Sequence, residues 1–368
     1  MEEKSMGNYD LADLALKSVC PNNALKYDDK EAPSVMVYIP KFRICDVLSS
    51  TDTSVLPAFR VNGKEIDGFW IGKYQTVHRN GRAYSIPGED PANNANLDTF
   101  VSYARAKGDQ WHEVTNAEWA AIALWCHKNG CEPYGNNNYG KDTRESLYKA
   151  IPASYDSNGK ICRVLTGTGP VTWSHDGTVE GIFDLNGNVW EWCTGLRLVK
   201  GEVQVLKDNN ASDPTANLSA TSSEWKAIDA STGSLVTPDG KGTTSGTVKL
   251  DYVNSKWTFV TTISSAVDSS RSCQFKDVTA GSAIGDDAKL LLQTLALLPD
   301  TELTGDGIDP TYGGDYFWAN NAADERCLIR GGRWGNGVDA GVFDVSLGSP
   351  RSSSGTNVGG RSALTNAD

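Results

Sequence analysis

Asn186, Asn188 and Glu191, in the run "DLNGNVWEW", are the first residues whose types and spacing suggest chemistry. Amide and carboxylate oxygens set this close suit a hard cation such as calcium. The same residues suit an Asn-Gly turn with a Glu satisfied by backbone donors, and that reading is preferred, with calcium as the alternative. His112 and Glu118, in "WHEVTNAEW", have the types for proton transfer. Yet Thr115 followed by Glu118 also spells a capping box, and a helix cap is the expected role of Glu118. No Ser-His-Asp or Cys-His set can be assembled around them. The eight Cys, at 20, 45, 126, 131, 162, 193, 273 and 327, include no Cys-x-x-Cys pair. Buried, reduced thiols are expected for most of them.

These residues need elements to position them. "PSVMVYIPKFRICDVL" (33–48) reads as strands and "DGFWIGKYQTV" (67–77) as a second, alternating strand. "NLDTFVSYARAKG" (96–108) reads as a helix closed by glycine. "TNAEWAAIALWCHKNG" (115–130) reads as a helix from the capping box to His127, Lys128 and Gly130. "GIFDLNGNVWEWCTG" (181–195) is a tight turn feeding an aromatic strand, with Trp190 and Trp192 on one core-facing side. Residues 196–327 are richer in Ser, Thr, Gly and Asp, with one helical run at "DDAKLLLQTLALLPD" (286–300). Short strands, a few helices and Gly-rich connections make the expected class α+β. The expected organisation is an N-terminal arm (1–32), a domain built from 33–195 and 328–368, and an insertion (196–327) within it.

Composition narrows the function classes. The 368 residues carry a net charge of −12, which disfavours a nucleic-acid partner. No apolar run is long enough for membrane insertion, and the acidic start "MEEKSMGNYDLADLALKSVC" has no export signal. Eleven Trp and 37 Gly imply a core of rings packed against close backbone turns.

The C-terminal run "LIRGGRWGNGVDAGVFDVSLGSPRSSSGTNVGGRSAL" has a specified frame and a small-residue filling. Taken in order, "MVYIPKF", "GFWIGKYQTV", "WHEVTNAEWAAIALW", "GIFDLNGNVWEW" and "RGGRW…GGRSAL" resemble the formylglycine-generating-enzyme type of C-type lectin-like fold. The resemblance covers 33–195 and 328–364 and leaves out the insertion. The enzymes of that family imply a copper-binding thiolate where Ser362 stands here, and no Cys follows Cys327. A serine hydroxyl is a poor soft-metal ligand, so the oxidase activity does not carry over. The four His, at 78, 112, 127 and 175, likewise lack the cluster that the related iron enzymes imply.

The segment is similar instead to the variable proteins of diversity-generating retroelements, in which adenine-directed copying rewrites the 3′ end of the gene. The matching frame is Gly331, Gly332, Trp334, Gly337, Ala340, Gly341, Phe343, Leu347, Arg351, Gly359, Arg361, Ser362, Ala363 and Leu364. Randomising the adenines of AAC or AAT cannot give Lys, Glu, Gln or Met, and all four are absent from 330–368. The resemblance implies a variable region at 330–364. Its ligand-binding positions would be Arg333, Gly335, Asn336, Val338, Asp339, Asp344, Ser346, Gly348, Ser349, Ser353, Gly355 and Thr356. It implies no catalysis and no required cofactor; the alternative reading is a divergent metal-dependent oxidase of the formylglycine-generating type. The partner would be a host-surface protein or glycan, with other virion proteins at an attachment point. The expected location is a phage virion, with a bacterial cell surface as the alternative.

Overall fold

The "PSVMVYIP" run forms a strand, but the chain does not stay extended through "RICDVL". In the computed structural model, which describes residues 8–300 and 312–365, Ile44–Val47 is a single helical turn (α2). The Asp46 carboxylate accepts the Arg43 N–H at 2.7 Å, a local bond that competes with extension. The segment before residue 33 belongs to a sheet. After helix α1 (Asn8–Val19), strand β1 (Asn23–Tyr27) pairs antiparallel along its whole length with β2 (Pro33–Pro40). The first seven residues of the expected arm lie outside the described residues.

The expected strand over 67–77 is two elements. β3 (Gly68–Gly72) ends where Lys73 and Gln75 turn into the interior, and a hairpin follows from Thr76. Helix α3 (Leu97–Arg105) is capped by the Asn96 side chain on the Thr99 N–H. A short strand, β4 (Trp111–Glu113), leads into α4 (Asn116–Lys128). The capping box there is complete: Thr115 Oγ1 accepts the Glu118 N–H at 3.1 Å, and Glu118 Oε2 accepts the Thr115 N–H at 3.0 Å.

Two sheets organise the chain. The first is antiparallel, in the order β1-β2-β3-β13-β4, where β13 (Ser362–Thr365) is the last described strand. The "GGRSAL" end is therefore an interior strand, with Ala363 opposite Ile71 and His112. The second sheet has twelve strands among the described residues. Its centre is β5 (Trp190–Val199), which pairs with the hairpin partner β6 (Glu202–Val205) on one side and β11 (Arg326–Arg330) on the other.

The 196–327 segment is woven into this sheet. It supplies β7 (Lys249–Val253), β8 (Lys256–Val260), β9 (Arg271–Gln274) and β10 (Tyr316–Ala319). β10 runs parallel to β12 (Val345–Ser349), itself paired with β11. Trp257, Phe259, Phe275 and Leu292 of this segment share one buried cluster with Val345 and Leu347. Helix α5 (Asp286–Thr294) is shorter than the expected run to 300. The Arg330 guanidinium takes the Leu295 and Ala296 carbonyls at 3.0 and 3.1 Å, and the chain turns there. The class is α+β, as the sequence implies.

Candidate functional site

The closing segment is held by buried polar anchors. Arg361 is fully buried, and its Nε and Nη2 donate to the two oxygens of Glu191 at 2.8 and 2.7 Å. Its remaining N–H groups reach the Gly72 and Phe183 carbonyls at 2.9 and 3.0 Å. The pairing is bidentate, so it fixes orientation as well as distance. Gly360 sits against Glu113: a Cβ there would lie 1.9 Å from Glu113 Oε1, so only glycine fits. Burial pushes the Glu113 carboxyl well above its usual range.

This network also bears on how well the residues suit calcium. Glu191 Oε1 accepts a further bond from Gln75 Nε2 at 2.9 Å. Asn188 Oδ1 accepts from the Val164 N–H at 2.9 Å and Asn136 Nδ2 at 3.1 Å, and Asn186 Oδ1 accepts from Asn137 Nδ2 at 3.2 Å. The oxygens of Asn186, Asn188 and Glu191 thus each face N–H donors, and on Glu191 the positive partner is the Arg361 guanidinium. These residues do not fit calcium. They form the turn read from "NGN", with Gly187 at φ 79° and Asn188 at φ 62°. Among the described residues, no group of three or more His, Cys, Asp or Glu could hold a metal ion.

His112 and Glu118 do meet, at 2.8 Å, but both are buried and Asn209 also bonds Glu118 Oε1 at 3.0 Å. The pair anchors the start of α4 and offers no surface to a substrate.

The candidate ligand-binding positions divide cleanly. Val338, at 57%, and Thr356 are exposed, while Arg333, Gly335, Asn336, Asp339, Gly348, Ser349, Ser353 and Gly355 are half-buried and reach solvent in part. Two do not and are corrected. Asp344 is 0% exposed, and Ser346 at 9% is recessed. Asp344 lies in a tight turn, its N–H bonded to the Gly341 carbonyl at 3.0 Å, before β12 begins. In β12, Val345 and Leu347 enter the core, while Ser346 pairs beside Ile329 and Trp318 on the other face of the sheet.

The frame lies beneath. Trp334, Ala340, Phe343, Leu347, Ser362, Ala363 and Leu364 are all buried, and Gly331 and Gly332 hold φ of 87° and 79°. Gly332 has no room for a Cβ, which would sit 2.4 Å from that of Ala340.

Eight of these ten positions occur on two loops that the fold ties down from outside the C-terminal segment, and the other two, Gly348 and Ser349, end β12. The 333–339 loop is bonded to the 136–143 loop: Tyr139 N–H to the Trp334 carbonyl at 2.8 Å, and Gly337 N–H to the Asn137 carbonyl at 2.9 Å. The 353–357 loop is bonded through the Gly355 carbonyl to the Asn94 N–H at 2.9 Å and through the Asn357 carbonyl to the Trp190 N–H at 2.9 Å. The 160–164 strip joins the two. Cys162 packs with Trp334, while Arg163 Nη1 donates to the Thr356 carbonyl at 3.1 Å. Tyr139, Lys160 and Arg163 thus border the surface, with Lys160 4.7 Å from the Tyr139 ring centre. The sequence gives no local signal for them, because they come close only through these tertiary bonds. Asn336 is partly committed to structure, its Oδ1 accepting the Arg333 N–H at 3.0 Å.

No protein-family model matches the chain, and no curated relative matches it. Among solved structures the chain is similar to variable protein 1 of Treponema denticola, at 11% identity and TM-score 0.33, over 94% of this chain and 99% of that one. It is similar to PvdO from Pseudomonas aeruginosa at 13% identity and TM-score 0.31, over 93% and 98%. It is also similar to the U1 variant of the Major Tropism Determinant at 9% identity and TM-score 0.31, over 93% and 71%. At these identities and scores the likeness carries no argument for function, and the site stands on its own geometry.

Proposed function

We propose that the chain is a C-type lectin-like, non-catalytic binding protein whose C-terminal surface is diversified by a retroelement. One observation supports this above the others: along 330–365 every frame side chain except that of Arg351 is buried, while ten of the twelve candidate contact positions are at least partly exposed. Stability and recognition are then carried by different residues of one segment. Main-chain bonds fix the two loops, so their side chains can change without unlocking the backbone. A preordered loop loses little entropy on binding, which favours affinity from short side chains.

The partner in this reading is a host-surface protein or glycan, met by a phage virion component or by a bacterial surface protein. No described helix is long and apolar enough to cross a membrane. The rival oxidase reading requires thiolates near Ser362. That hydroxyl is buried without a hydrogen-bond partner, and the Cys327 thiol is pushed up to about 12 by burial.

The experiment is a displayed library. Codons for Arg333, Val338, Asp339, Ser349, Ser353 and Thr356 are randomised together, and a matched library randomises Trp334, Phe343, Leu347 and Arg361. The first should keep most members folded and yield binders to surface extracts of bacteria. If both libraries lose folding alike, the proposed division of labour is wrong.

A further inference from the structure

A cleft of about 240 Å³ opens between β2, α4 and the 175–180 turn, lined by Tyr38, Phe42, Ile122, Trp125, Asp176 and Glu180 among others. No residue of the C-terminal surface lines it. Its three aromatic rings are partly exposed and braced from behind. Tyr38 lies against Trp70 and Phe42 against Phe59, each at 5.0 Å, and Trp125 lies against His175 at 5.2 Å.

The two carboxylates are held in place by neutral donors. Glu180 Oε2 accepts the Asn22 N–H and Nδ2 at 3.2 and 3.0 Å, and Asp176 Oδ1 accepts the Thr178 N–H at 2.9 Å and the Ser174 hydroxyl at 3.1 Å. The cation that feels them most is Lys73, which is buried and directed at Asn23 Oδ1 and the Val179 carbonyl. His175 adds no positive charge at neutral pH, because burial lowers it to about 4. Two carboxylates against one buried ammonium leave the cleft negative.

Aromatic rings and unbalanced carboxylates lining one cleft attract the same thing, a positive charge on an apolar body. The volume lies below the range of about 300–1,000 Å³ usual for drug-sized ligands, so the occupant is small. We propose that this cleft binds a small organic cation, an alkylated ammonium of about the size of choline. An anion would meet the carboxylates, and an uncharged hydrocarbon would leave them unmatched.

The test is calorimetric titration of the full chain with choline and, separately, with dimethylbutanol, its uncharged carbon isostere. Choline should bind at least about tenfold more tightly, a difference of about 1.4 kcal/mol. Glu180→Gln keeps the acceptor for Asn22 and should weaken choline about fivefold while leaving the isostere unchanged, as cation–π and charge contributions of this size imply. Asp176→Asn should act in the same direction. Trp125→Phe should keep more affinity than Trp125→Leu, with melting curves confirming that each variant folds. Equal affinity for the two probes, no binding at millimolar choline, or indifference to both carboxylate changes would overturn the proposal. Library binding at the C-terminal surface is unaffected by any of these outcomes.

Discussion

Arg361 and Glu191 join the end of the chain to the start of its central strand through a two-pronged ion pair with no exposure to solvent. Desolvating both charges is costly, and the pair persists because Gly72, Phe183 and Gln75 satisfy the remaining donors and acceptor. Removing one partner leaves a buried charge alone. Glu191→Ala and Arg361→Ala should each lower stability by about 3–5 kcal/mol. Glu191→Ala combined with Arg361→Ala should cost less than the sum of the two single changes. Denaturant unfolding of the four proteins measures this, and simple additivity would mean that the pair is not coupled.

The division between frame and surface predicts opposite responses within one segment. Gly332→Ala forces a side chain into a left-handed backbone and onto Ala340, and should cost more than about 1 kcal/mol. Val338→Ser and Thr356→Asn touch exposed side chains and should change stability by no more than about 0.5 kcal/mol. Thermal melts of these variants decide the matter. A Val338 change as damaging as the Gly332 change would place the loop among the structural residues.

The sequence made some of this legible and hid the rest for physical reasons. The α4 cap was readable because Thr115 and Glu118 act across three residues, within local reach. The buried Trp190, Trp192 and Trp334 were readable because ring size and strand alternation dictate burial. Asn186, Asn188 and Glu191 were ambiguous: oxygen ligands for a cation and acceptors for N–H groups are the same atoms. Partners distant in sequence decide between them: Asn137 at Asn186, Asn136 and Val164 at Asn188, and Arg361 at Glu191. Asp344 and Ser346 were misplaced because small polar residues read as exposed, while the turn at Gly341 and the pairing of β12 bury them. Tyr139, Lys160 and Arg163 could not be seen at all, since they adjoin the variable loops only after folding.

The oxygens of the "NGN" turn are engaged by N–H donors, so chelation should do nothing to the fold. Melting in the presence of EDTA, of added calcium, or of neither should agree within about 1 °C, because a ligand that binds only the native state raises Tm by mass action. A calcium-dependent rise abolished by Asn186→Ala would show that the turn rearranges to hold the ion.

Asp344 gives the fold a pH dependence whose sign can be worked out. Burial, then Asp315 and Asp339, push its carboxyl well above the usual range. Neither oxygen has a well-formed hydrogen bond, the Val345 N–H offering only a weak one. The native state therefore holds a proton that the unfolded chain releases near the ordinary Asp value. Stability from this site is greatest at low pH, below the unfolded pKa, and declines as pH rises toward the elevated native one. Asp344→Asn removes the ionisation and nearly preserves the shape. It should raise Tm by about 1–2 °C or more at pH 8, with the gain shrinking as the buffer is taken down toward pH 4. A constant difference across that range would show that Asp344 is held by packing or by an unseen donor and not by the cost of burying its charge.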